Sequence, residues 1–274
     1  MAKEGVHMSE KIAVKMFDDY YYVGDDHVGF HILKTDEGLV MFDSMTTEDA
    51  DEVFLIPGLK DLGLENEKIL AIMLTHGHFD HYLGAEHVRL RTGCDVMLTA
   101  EDCIFMVNSL DNRDKGMAMP HITKLIKDGD VLTFGKHDIH VIGAAGHTPG
   151  CVNYSFPVHD NGAEHRTIMT GGGGIFGPGR YPGKEGYPDT AAFAAKQALL
   201  FAESLMRTWE FVKEHNCDVY LAAHPFAAEM LEKYAQNKEG EPNHLIDGID
   251  GVKAYLKKQY DRCLESAWFF CPIE

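Results

Sequence analysis

Three histidines and an aspartate, His76, His78, Asp80 and His81, fall within six residues of the run Thr-His-Gly-His-Phe-Asp-His that begins at Thr75. Side chains spaced i, i+2, i+4 and i+5 cannot share one helix face, where neighbours fall at i+3 and i+4. They can converge if the chain turns sharply, and Gly77 permits such a turn. Imidazoles suit zinc and several other transition metals, and a carboxylate beside them suits a second ion with room for water. With 16 histidines in 274 residues, chance clustering is the competing explanation. An apolar segment that feeds directly into a compact ligand array argues against it.

That segment, residues 69–74 (Ile-Leu-Ala-Ile-Met-Leu), reads as a buried strand. Two more histidines follow strand-like segments. His147 comes after residues 138–143 and sits in the turn Gly-His-Thr-Pro-Gly. His224 follows residues 218–223, and Pro225 stops the ladder behind it. A histidine at one strand end is usually structural or solvated. Three ligand groups placed just after three strands would meet at one sheet edge if those strands are aligned. The remaining histidines, His31 and His137 among them, are read as surface or loop residues. His121 is the exception, because its segment could overhang the site.

Composition bounds the function. Lys and Arg total 25 against 43 Asp and Glu, a formal charge of −18. That balance opposes a nucleic-acid surface and electrostatic attachment to anionic membranes. No run of 18 apolar residues exists, so no transmembrane helix is expected, and the N-terminal residues lack the apolar core of a signal peptide. Six cysteines without C-x-x-C spacing are expected to be reduced thiols, and the protein cytoplasmic. The partner expected is a small-molecule substrate. No linker rich in Pro, Gly or Ser divides the chain, so residues 1–274 are read as one domain, with 1–11 disordered.

The ligand run resembles the H-x-H-x-D-H motif of the metallo-β-lactamase superfamily, and the resemblance extends over residues 14–256. Asp43, after the apolar residues 38–42, matches that family's structural aspartate beneath the metals. Gly146-His147-Thr148-Pro149-Gly150 matches its G-H-T-P-G turn, and Ala223-His224-Pro225 its late histidine. The resemblance implies an α/β fold, an αβ/βα four-layer sandwich of two mixed sheets flanked by helices. It also implies two Zn²⁺ ions per chain, one held by His76, His78 and His147, the other by Asp80, His81 and His224. Such a pair would lower the pKa of a shared water towards neutrality and polarise a carbonyl. Asp80 is the catalytic residue in this reading, ligating its metal and orienting the hydroxide. No protein nucleophile is assigned.

The same pattern organises the rest of the chain. Residues 12–45 suggest three short strands, 46–62 a helix that Pro57 interrupts, and 84–91 a helix before a strand at 94–99. Residues 106–127 show no strong period, and strands recur over 131–169. Residues 189–215 form a long amphipathic helix, with further helices over 227–237 and 248–264. Cys217 matches a cysteine that forms a disulfide in secreted members of the third β-lactamase subclass. Its usual partner position falls near Val252, so that staple is absent.

The four glycines Gly171 to Gly174 lack the Gly-Lys-Ser/Thr of a phosphate loop. In much of the superfamily this loop carries an aspartate that bridges both metals; here Gly172 or a neighbour replaces it. Among the branches compared, the third subclass of β-lactamases is the nearest, and there serines of this loop bind the substrate carboxylate. Gly172, Gly173 and Gly174 are therefore read as substrate-binding through a backbone nest. The function expected is a two-zinc hydrolase of a cyclic or activated acyl bond, with β-lactams the leading class. The alternative is a cytoplasmic lactone, thioester or peptide-amide hydrolase without physiological β-lactam activity. A diiron redox protein would carry glutamate where His78 stands, and the strong negative charge opposes a nuclease.

Overall fold

The computed structural model describes residues 10–109, 118–175, 177, 183 and 187–271. The expectation of disorder over 1–11 falls mostly on residues outside that set. Lys11, which lies inside it, pairs with Asp61.

Seven strands form the first sheet in sequence order: β1 (Ile12–Lys15), β2 (Tyr20–Gly24), β3 (Gly29–Lys34), β4 (Leu39–Phe42), β5 (Ile69–Met73), β6 (Asp95–Thr99) and β7 (Lys124–Ile126). The first four pair antiparallel and the last four, from β4 onward, parallel. The second sheet holds β8 (Val131–Phe134), β9 (His137–Gly143), β10 (Val152–Ser155), β11 (Pro157–Asp160) and β12 (Ala163–Thr170), with β13 (Val219–Ala222) parallel to β12. Both sheets are mixed, as expected.

Alternation along the strands sorts the core into two layers. Tyr20, Tyr22, Phe42, Ala71 and Met73 point between the sheets, against Val141, Tyr154, Phe156 and Ile168. Tyr21, Val23, Met41, Ile72 and Leu74 face the other way, against helices. These are α1 (Ile56–Asp61), preceded by a π-helical turn at Asp51–Leu55, α2 (Phe79–Tyr82), α3 (Ala85–Thr92) and α4 (Ala100–Asn108). On the far side, α5 (Ala191–His215) and α7 (Gly248–Phe270) cover the second sheet, their Phe201, Leu205, Val252 and Leu256 belonging to the same contiguous apolar cluster. The short α6 spans Met230–Tyr234. Helices, sheet, sheet and helices make the four-layer sandwich.

Several expectations need correction. Residues 12–45 hold four strands rather than three, because β2 and β4 are buried on both faces and show no polar alternation. Pro57 does not end the helix: the π-helical turn at Asp51–Leu55 runs on into α1, and Pro57 is the second residue after the change of winding. Residues 106–127 conceal the end of α4 and all of β7, and α7 runs six residues past its expected end. Among the described residues, no helix is long and apolar enough to cross a membrane.

Candidate metal centre

The parallel pairing of β4, β5 and β6 places their C-terminal ends side by side, and the ligand run leaves the end of β5 there. His76 and His78 lie in the connecting loop, while Asp80 and His81 ride on the single turn of α2 rather than on a loop. His147 arrives from the turn between β9 and β10, and His224 from the end of β13. Gly77 does not take a left-handed conformation, so the turn itself does not demand glycine. Close approach does: a Cβ there would stand 2.9 Å from the Asp102 carbonyl oxygen.

The structure brings all six predicted ligands together as two triads. His147 Nε2 lies 3.1 Å from His78 Nδ1 and 3.2 Å from His76 Nε2. Nearby, His81 Nε2 is 3.3 Å from His224 Nε2, and Asp80 Oδ2 is 3.5 Å and 3.6 Å from those two nitrogens. The His76 and His81 rings are 4.1 Å apart, so the triads adjoin. Donors about 2.0–2.2 Å from a tetrahedral zinc stand roughly 3.3–3.6 Å from each other. The second triad fits that spacing, and the two separations of the first, 3.1 Å and 3.2 Å, are slightly tighter.

Each outward-facing nitrogen of three rings is hydrogen-bonded, which fixes the other nitrogen towards the cluster. His81 Nδ1 donates to Asp43 Oδ2 at 2.7 Å, His224 Nδ1 to the His27 carbonyl at 2.9 Å, and His147 Nδ1 to the Gly174 carbonyl. Asp43 is buried and also accepts the Thr75 amide at 2.7 Å and the Thr75 hydroxyl. Its backbone is left-handed, φ 59°, a strained conformation for a non-glycine residue. It lies beneath the ligand loop, as expected.

Burial and mutual repulsion push His76 and His78 well below the ordinary imidazole pKa, and burial takes His147 and His224 down to about 4. All four are neutral at pH 7, the form that binds metal. Burial works against ionisation of Asp80, yet His81, His78 and His224 outweigh it and hold its carboxyl at about 2. For His81, burial is outweighed by Asp80 and Asp43, and its pKa rises.

Sequence reasoning missed Asp102. This fully buried carboxylate of α4 accepts the amides of Gly77 and Gly150, both at 2.7 Å, and the Thr148 hydroxyl at 2.6 Å. Burial raises its pKa to about 6, with those three donors pulling the other way. It ties the loop of His76 and His78 to the turn of His147. His31, read as a surface residue, is wholly buried: Tyr20 donates to its Nδ1 and its Nε2 donates to the carbonyl of Ala223, next to His224. His137 is also buried. His121 does not overhang the site; its amide donates to Glu86.

The triads form one wall of a cavity of about 630 Å³. Gly173 and Gly174 line it, as expected of substrate-binding positions. Gly172 does not. It is buried against His147, whose Cβ would stand 2.6 Å from a Cβ at this position. Tyr255, Lys258, Gln259 and Arg262 of α7 also line the cavity, as does His27. None of these was singled out from sequence, since solvated helix charges carry no motif.

A sequence profile described as the metallo-beta-lactamase superfamily matches residues 26–160. The chain is 32% identical over 133 residues to a hydroxyacylglutathione hydrolase of Maricaulis maris, a match spanning 48% of this chain and 44% of that one. It is 28% identical over 106 residues to a hydroxyacylglutathione hydrolase of Haemophilus influenzae, spanning 36% and 49% respectively. The chain thus spans about half or less of the length of these relatives. Its fold is similar to that of BJP-1, a subclass B3 metallo-β-lactamase of Bradyrhizobium japonicum, with a TM-score of 0.73 at 24% identity over 93% of this chain and 94% of that chain. It is similar also to the metallo-β-lactamase FEZ-1 of Legionella gormanii, with a TM-score of 0.77 at 20% identity over 97% and 99%. In its sequence over residues 26–160 and in its fold, the chain is thus similar to the metallo-β-lactamase superfamily.

Proposed function

We propose that this chain is a member of the metallo-β-lactamase superfamily and a two-zinc hydrolase of a cyclic or activated acyl bond. His76, His78 and His147 hold one ion in this reading, and Asp80, His81 and His224 the other. The observation that carries it is the meeting of two donor triads, with donor separations of 3.1–3.6 Å, on the wall of one cavity. When bound, the two ions supply an activated water at neutral pH and polarise the scissile carbonyl.

The chain's own residues prepare that chemistry. Asp80, ionised down to about pH 2, accepts a proton-bearing group throughout the neutral range and orients the attacking water. Asp43 holds His81 in one tautomer, and the His27 and Gly174 carbonyls do the same for His224 and His147. Among the described residues no cysteine lines the cavity, and burial drives the pKa of Cys151, beside the His147 turn, well above its ordinary value.

Two acyl classes have support. The likeness in fold over nearly the whole chain is to β-lactamases, and the curated sequence relatives act on hydroxyacylglutathione. Turnover of nitrocefin, an acylglutathione thioester and a lactone by the zinc-loaded protein tests the proposal. Turnover of one of them, abolished by chelation, supports it; inertness towards all three together with less than one zinc per chain overturns it.

A further inference from the structure

The part of the cavity lining that α7 supplies is basic in a chain that is otherwise acidic. On α7, Tyr255, Lys258, Gln259 and Arg262 recur at i, i+3, i+4 and i+7, and all four line the cavity that the six donors also line. Residues at that spacing form a single stripe along a helix. Among the described residues neither Lys258 nor Arg262 has a carboxylate partner, whereas Lys257, on the neighbouring face, is paired with Asp261. The cavity's acids are Asp80, which belongs to the donor set, and Glu229, which accepts the Tyr255 hydroxyl at 3.4 Å. Exposed lysine and arginine on a helix are ordinarily only solvated. Here the chain carries 25 basic against 43 acidic residues, and two unpaired cations one helical turn apart converge on the cavity. The loop of Gly173 and Gly174, also in the lining, offers no charge of its own.

We propose that Lys258 and Arg262 clamp an anionic group of the substrate, so that the substrate is an acyl compound with a carboxylate remote from the bond that is cleaved. This rests on the hydrolase reading and names its substrate class. A guanidinium and an ammonium one turn apart suit a carboxylate, which accepts charge-assisted hydrogen bonds from both. With that end held on α7, the reacting carbonyl would lie in the same cavity as the donor triads.

The test compares two esters on the zinc-loaded protein: the mono-4-nitrophenyl ester of adipic acid and 4-nitrophenyl hexanoate, equal in length and differing by the terminal carboxylate. The wild type is expected to prefer the adipate ester through KM. In Lys258→Ala/Arg262→Ala that preference should fall about 10- to 100-fold, with Arg262→Lys in between. A second arm measures adipate binding to the metal-free protein by calorimetry, where binding is expected in the wild type and lost in the double variant. An unchanged ester preference, or equal adipate binding by wild type and double variant, overturns the clamp. If neither ester is turned over, the hydrolase reading suffers while the calorimetric arm still decides the clamp.

Discussion

Oδ2 of Asp102 accepts the amide of Gly77, the residue between His76 and His78, at 2.7 Å; the same oxygen takes the Thr148 hydroxyl beside His147 at 2.6 Å. One buried carboxylate thereby sets the distance between two ligand loops that are about 70 residues apart in sequence. Outer groups of this kind orient metal ligands without touching the metal.

Asp102→Asn should therefore weaken zinc binding about 10- to 100-fold. An asparagine presents an N–H where the carboxylate accepts, so at least one of the three donors loses its partner, at a stability cost of about 1–3 kcal/mol. Zinc titration with a competing chelator, alongside denaturant unfolding, reads both effects. Wild-type affinity in the variant would show that the loops are held by packing alone.

Elemental analysis should find about two zinc ions per chain, as two three-donor sets require. His224→Ala is expected to retain one, because the first triad does not depend on it. Chelation should lower Tm, since zinc held at a hundredfold excess over Kd stabilises by about 2.7 kcal/mol. Loss of both ions from His224→Ala would mean that the triads bind as a unit.

Asp80 and Asp43 are both acidic neighbours of His81, yet they predict different losses. Asp80→Ala should abolish most turnover and leave Tm of the metal-free protein nearly unchanged, because its side chain is partly exposed at the cavity. Asp43→Ala leaves the Thr75 amide, the Thr75 hydroxyl and His81 without their acceptor inside the protein. A destabilisation of about 3 kcal/mol or more is expected. Equal turnover in wild type and Asp80→Ala would remove Asp80 from the mechanism.

Acid should destabilise the metal-free protein through its buried histidines, with Asp102, held at about 6, opposing them in the same range. Burial holds His31 at about 4, below its ordinary 6.5, so the folded state favours the neutral ring. Its contribution is full above pH 6.5 and is lost as the pH falls from 6.5 towards 4, about 3 kcal/mol in all. His147 and His224, also near 4, add to the same limb. His31→Gln keeps an amide for the Ala223 carbonyl and cannot titrate, so its acid limb should be shallower. Parallel limbs in wild type and variant would exclude His31 as a source.

The four candidate donors of the run at 76–81 were legible because metal chemistry restricts residue types, whereas His147 and His224 stood out only through their strand ends and the family resemblance. Asp43 was legible only through family resemblance, since nothing local marks an aspartate after a strand as buried. Asp102 was not legible: an acid in the first turn of a helix reads as an ordinary complement to the helix dipole, and its partners are loop amides and a hydroxyl that any sequence supplies. β7 was hidden for a related reason, being three residues long with two of them exposed. The alternation within β2 and β5 could not be read either, because both faces are buried and the pattern that separates the two core layers is apolar throughout.

The glycine loop yields a prediction in which two adjacent positions diverge. From sequence, serines at Gly172 and Gly174 would each add a carboxylate contact and lower KM. At Gly172 the backbone is pressed against His147, and a Cβ would come within 2.6 Å of that residue's Cβ and 2.7 Å of its ring. Contacts that short force a shift, and the side chain that must give way is one of the proposed zinc ligands. Gly172→Ser should therefore displace His147, weaken zinc at the first triad and reduce turnover of every substrate. At Gly174 nothing lies within 4 Å of the added atom, and the carbonyl that anchors His147 is retained. Gly174→Ser should keep its zinc and fold, project a hydroxyl into the cavity, and lower KM for substrates whose carboxylate reaches the loop. Zinc content separates the two variants before any assay of activity. Full zinc in Gly172→Ser would show that the loop can retreat from His147, and the close packing would then not be what requires glycine there.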